Sequence, residues 1–72
     1  MKKEQFDKIL SKTKNQLLVY IGEECYFLNI SKTTSTNELG IIAINERTGL
    51  ASIVFFDDIE SVISDGQIYE SN

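Results

Sequence analysis

Apolar positions follow two different rhythms along this chain. Between Lys2 and Thr13 they recur every third or fourth residue, at Phe6, Ile9, Leu10 and Thr13, with lysines and acids between them. That spacing lines one side of an α-helix, predicted over about 2–13. Glu4 stands one turn before Lys8, a pairing that supports the helix. From Gln16 the rhythm changes to β-branched and aromatic runs separated by glycines and acidic pairs, which predicts a β body over about 16–69.

The first pair of runs, QLLVYIGEECYFLNIS, reads as a hairpin. Gly22 suits the first central position of a two-residue type II′ turn, with Glu23 at the second. That register sets Val19 opposite Tyr26, Leu18 opposite Phe27 and Leu17 opposite Leu28. Residues 31–38, rich in Ser and Thr with Asn37, lack an apolar face and read as a loop. A second hairpin follows in LGIIAINERTGLASIVFF, turning at Glu46-Arg47-Thr48-Gly49. Here Asn45 faces Leu50, Ile44 faces Ala51, Ile42 faces Ile53 and Gly40 faces Phe55, where an aromatic can cover the glycine backbone. Asp57-Asp58 ends the strand and offers a side-chain cap to a short helical turn. Ile59, Val62 and Ile63 resume the apolar pattern as a fifth strand. Gly66 marks a further turn, and Tyr69 is the last bulky side chain.

Both faces of both hairpins are apolar, which is more than one small core uses. Ile42, Ile53 and Phe55 are assigned to the core with Val19 or Leu18. The opposite stripe, Leu39, Ile41, Val54 and Phe56, is then the candidate interface, and a homo-oligomer is expected.

Composition sharpens this picture. Seventy-two residues make a single domain, 1–72, close to the size at which one core suffices. Cys25 is alone, so an internal disulfide is excluded, and with no His to add soft ligands a zinc site is not expected. No apolar run reaches bilayer length, and the lysine-rich start has no apolar signal core. With a free thiol and no export signal, a cytoplasmic location is expected. Residues 1–14 hold five lysines against two carboxylates, a net +3, while residues 15–72 hold two cations against nine carboxylates, a net −7. An acidic body repels phosphate, so nucleic-acid binding by that body is disfavoured.

Little in the chain supports chemistry. Without His, Ser-His-Asp and Cys-His arrangements are excluded, and the isolated glycines form no phosphate loop. Cys25 lies between Glu24 and Tyr26, where acidic neighbours oppose thiolate formation; it reads as a small hydrophobe. Asp57-Asp58-x-Glu60 is the densest carboxylate group, yet it lacks the interleaved Gly and Asn of a Ca²⁺ loop. The expectation is no enzyme, no catalytic residue, no cofactor and no metal. The basic helix reads as a solvated face on a docked element and not as a membrane anchor.

Six stretches in order, Lys3–Thr13, Leu17–Ile21, Cys25–Ile30, Leu39–Asn45, Leu50–Phe56 and the turn at Asp57–Glu60 leading into Ser61–Ile63, resemble the Sm-like and SH3-like small barrels. The resemblance implies one helix followed by five short, strongly curved antiparallel strands, closed or nearly closed. It does not imply RNA binding. Sm-like proteins carry a glycine and an aspartate–asparagine signature for their RNA pocket and a second glycine-containing signature before the last strand, and this chain has neither. Asp57-Asp58-Ile59-Glu60 stands where the second belongs.

The functional expectation is therefore a small acidic module that binds a protein partner, an inhibitor or adaptor of the phage or mobile-element type. Glu23, Glu24, Asp57, Asp58 and Glu60 form the candidate electrostatic surface, complementary to a basic groove. The alternative is a small-barrel nucleic-acid binder, with the lysine helix on phosphate and Tyr20, Tyr26 or Tyr69 stacking on bases.

Overall fold

The helix forms where its spacing placed it. In a computed structural model, which describes residues 1–30 and 37–71, α1 runs Lys3–Lys12 and buries Phe6 and Ile9. Glu4 in its first turn and Lys12 in its last both suit the helix dipole. Lys3 Nζ pairs with Asp7 at 2.6 Å on the wet side. At the far end the Thr13 hydroxyl donates to the Ile9 carbonyl at 2.7 Å and lies 2.6 Å from Ser64 Oγ. Thr13 has one hydroxyl proton and Ile9 takes it, so Ser64 is the donor in the second bond. Both residues are buried, and the pair fastens the end of the helix to the sheet.

Six strands follow: β1 Gln16–Ile21, β2 Glu24–Asn29, β3 Gly40–Asn45, β4 Ala51–Phe55, β5 Ser61–Ser64 and β6 Gln67–Glu70. They form one antiparallel sheet in the order β4-β3-β2-β1-β5-β6. The registers expected for both hairpins are the observed ones, Leu18 facing Phe27 and Ile42 facing Ile53 among them. Gly22 has φ +57° while Glu23 stays outside the positive region, as a type II′ turn requires.

Five expected strands become six. Asp65 and Gly66 both take positive φ, +49° and +88°, the type I′ geometry of a two-residue hairpin turn. The chain therefore returns from β5 as β6 instead of fraying. A closed barrel is not formed, because the edge strands β4 and β6 do not pair.

The sheet is nevertheless strongly curved. Only five residues link Phe55 in β4 to Ser61 in β5, and three of them coil in a 3₁₀ turn, Phe56–Asp58. On a flat sheet four strand spacings and the offset along the strands would separate those ends by about 28 Å. Six residue steps reach only about 20 Å fully extended. Curling the sheet brings the ends together and gives a body of 27 × 27 × 25 Å.

The core lies on the concave side, beneath α1 and the 3₁₀ turn. Phe6, Leu17, Val19, Val54 and Val62 are fully buried there, joined by Ile41, Ala43, Phe56 and Ile59. The Met1 amino nitrogen donates to the Phe56 and Ile59 carbonyls at 2.8 and 3.2 Å, holding the start of the chain against the turn. This placement corrects the core assignment: Ile42, Ile53 and Phe55 are 57, 59 and 47 % exposed. The register is right but the covered face is the other one. With both stripes apolar, alternation cannot choose between them; the choice is made by where α1 lands. No helix among the described residues is long and apolar enough to cross a membrane. The expected loop at 31–38 lies largely outside the described residues. Its described end is an Asn37 turn, with Asn37 Oδ1 accepting the Gly40 N–H at 3.1 Å.

Candidate functional site

Alternation along each strand sends every second side chain to the convex side, where no element of the described chain covers it. One cross-strand row there runs Ala51, Ile44, Phe27, Leu18, Ile63 and Ile68, one residue from each of the six strands. Its inner members are half-buried by their neighbours, while Ile68 is largely exposed. Ile42, Ile53 and Phe55 extend the face toward the β4 edge, beside Leu39. The register puts one formally charged strand residue on this side, Glu70. Each large aliphatic or aromatic side chain left wet forgoes about 1.5–3 kcal/mol that full burial would contribute. The result is a continuous apolar surface across six strands with Glu70 as its one charged strand residue.

Carboxylates frame that face. Glu23 lies in the β1–β2 turn, Glu38 ahead of β3, Glu46 after β3, Asp57 and Asp58 after β4, Glu60 ahead of β5 and Asp65 after it; all are exposed. Among the described residues the lysines sit elsewhere, whereas Arg47 shares the β3–β4 turn with Glu46 and pairs with Glu24. Lys2, Lys8, Lys12 and Lys14 are exposed along and around α1, behind the core.

The stripe expected to be the interface is corrected by the same geometry. Ile41, Val54 and Phe56 are 2, 1 and 3 % exposed and belong to the core, so a partner cannot reach them in the folded chain. Leu39 alone of that set is accessible. The acidic set is dispersed by function. Glu24 accepts from Asn45 Nδ2 and from Arg47, both at 2.9 Å, and these bonds, Asn45 first, hold its carboxyl below the usual range. Glu60 accepts the Gly22 N–H and so braces the first hairpin turn. Asp57 and Asp58 do not cap the 3₁₀ turn; its N-cap position is Phe55 and no side-chain bond caps it. They are exposed with Glu23.

Cys25 is half-buried beside Tyr20 and Glu46. Burial, then the Glu46 hydrogen bond, pushes its thiol up, with Tyr20 opposing. The protonated form is a poor nucleophile. Among the described residues no three carboxylate or thiol side chains converge as a metal site requires.

One residue was missed. Asp65 accepts backbone N–H bonds from Lys14, Asn15 and Gln16 at 2.7, 3.0 and 3.3 Å, which together anchor the link between α1 and β1 to the β5–β6 turn. Those bonds, led by Lys14, hold its carboxyl below the usual range. The signal was present in the Asp65-Gly66 dipeptide, a favoured type I′ pair, set between two apolar runs.

Compared with known proteins, the chain matches no family model, no curated protein and no solved structure.

Proposed function

We propose that this chain is a small acidic protein-binding module, an inhibitor or adaptor, which docks through the convex face of its sheet. The observation that carries the reading is the six-strand apolar row with a single carboxylate among its strand positions, framed by acidic turns. Such a surface suits a protein that presents an apolar patch bordered by Lys or Arg. The centre supplies burial, and the rim supplies steering and rejects acidic competitors. Separation of Lys2, Lys8, Lys12 and Lys14 onto the opposite side leaves the acid-framed docking face repulsive to phosphate.

The test is affinity capture from the native host with the parent, an Ile42→Lys/Ile68→Lys double variant and a Lys8→Glu control, read by mass spectrometry. The same captured protein should be lost with the face variant and kept with the helix control, and it should weaken in salt. Capture indifferent to the face variant sinks the reading. Capture of RNA that depends on Lys8 instead would favour nucleic-acid binding through the helix.

A further inference from the structure

The two edges of the sheet are built differently. Natural sheets blunt their edges with charge, proline, bulges, short strands or a covering element. β6 is four residues long, carries Glu70, and has its Glu70 carbonyl occupied by Gln5 Nε2 at 3.0 Å. β4, Ala51-Ser52-Ile53-Val54-Phe55, has none of these devices among the described residues. It holds no charge, no proline and no glycine, and it pairs with β3 in unbroken register from Gly40–Phe55 to Ile44–Ala51.

The register also states which backbone groups point outward. Asn45 donates to the Leu50 carbonyl at 2.9 Å and Phe56 donates to the Leu39 carbonyl at 3.0 Å. Hydrogen-bonded pairs alternate in an antiparallel ladder, so Ser52 and Val54 bond inward to β3. Ala51 and Ile53 therefore turn both N–H and C=O to the open edge and Phe55 turns its N–H there, while the Phe55 carbonyl, at the N-cap of the 3₁₀ turn, already accepts within that turn.

We infer that β4 pairs with β4 of a second copy, antiparallel, about a two-fold axis at Ile53. In that register Ala51 meets Phe55 of the other copy, Ile53 meets Ile53, and Phe55 meets Ala51, so the five free outward groups of each strand find partners, the Ala51 N–H using the second lone pair of the Phe55 carbonyl. Side chains agree with the backbone. The large Phe55 falls opposite the small Ala51, and the exposed Ile53 side chains meet at the axis on the convex face. Such a contact is isologous and closes at two copies. Each contributes a short strand and one corner of its apolar face, so the interface belongs to the small, weak and reversible class. Most of the convex face remains open in the dimer, and the inference goes beyond the docking reading, not depending on it.

The test is sedimentation equilibrium of the full chain over a concentration series into the sub-millimolar range. The parent should move from 8.2 kDa to twice that mass, while Ile53→Lys and Ile53→Glu should each stay monomeric with parental circular dichroism. Mixing the two variants should restore a dimer, since opposite charges then meet at the axis. Ile68→Lys, on the same face but at the other edge, should dimerise like the parent while it weakens docking of a foreign protein. Amide exchange supplies the second measurement: the N–H groups of Ala51, Ile53 and Phe55 should gain protection with concentration, and that of Ile68 should not. A parent that stays monomeric throughout overturns the inference, as does a dimer that survives Ile53→Lys or an assembly larger than two.

Discussion

The rings of Phe6 and Phe56 lie 5.2 Å apart between centroids, tilted by 47°. One ring comes from the helix and the other from the 3₁₀ turn, so this contact locks the lid of the core to the connection that curls the sheet. Phe6→Ala should cost about 3–5 kcal/mol, enough to unfold a domain of this size in urea titrations at room temperature. Phe55→Ala, next in the chain to Phe56 but on the convex face, should cost about 1 kcal/mol. Equal losses at the two sites would contradict the assignment of faces.

Thr13 and Ser64 form a buried hydroxyl pair, and each depends on the other. Thr13→Val should leave the Ser64 hydroxyl without its acceptor and lose about 1–3 kcal/mol. Adding Ser64→Ala should recover part of that loss, because the orphaned group is gone. Chemical denaturation of the two single variants and the double variant gives the coupling directly.

Asp65 should make stability depend on pH. Its folded carboxyl titrates below the ordinary value of 3.8 because three backbone N–H groups bond the charged form. The unfolded state therefore takes up a proton first as pH falls, and the stabilisation is present above pH 3.8 and lost as pH drops through the lower folded value. Asn tolerates the same positive φ, so Asp65→Asn should keep the turn and remove the charge. Melting curves of parent and variant should lie apart at pH 7 and converge in the acid range.

Gly40 faces Phe55 where β3 and β4 approach closely. A Cβ built there runs into the Val54 carbonyl and comes within 3.1 Å of Phe55 Cα, both of them backbone and unable to swing aside. Gly40→Ala should therefore disrupt the second hairpin, seen as lost amide protection along β3 and β4. Gly49, at φ +73° with open space around it, meets only the torsional cost of an L-residue there; Gly49→Ala should lose about 1 kcal/mol.

Local features of this fold were legible and global ones were not. Gly22 and the Glu46–Gly49 turn set both hairpin registers, because a turn of fixed length determines which residues face each other. Which face became core was not legible, since Ile41 and Ile42 differ in burial only through the landing site of α1. Of the expected interface stripe Leu39 alone is exposed, and Ile41, Val54 and Phe56 went to the core. β6 was missed even though Asp65-Gly66 announces its turn. The Asp65 bonds to Lys14, Asn15 and Gln16 cross some fifty residues of chain and leave no trace in local spacing.

The position of β1 has a kinetic consequence. It pairs on one side with β2, its neighbour in the chain, and on the other with β5, more than forty residues later. The hairpins β1–β2 and β3–β4 close over short loops and can form early, whereas the β1–β5 ladder must wait for a long loop to close. Leu17 and Val19 share their core with Ile59 and Val62, so that core is incomplete until the β1–β5 ladder closes. Residues 59–70 thus act as a clasp on a core that the helix and the two hairpins only begin.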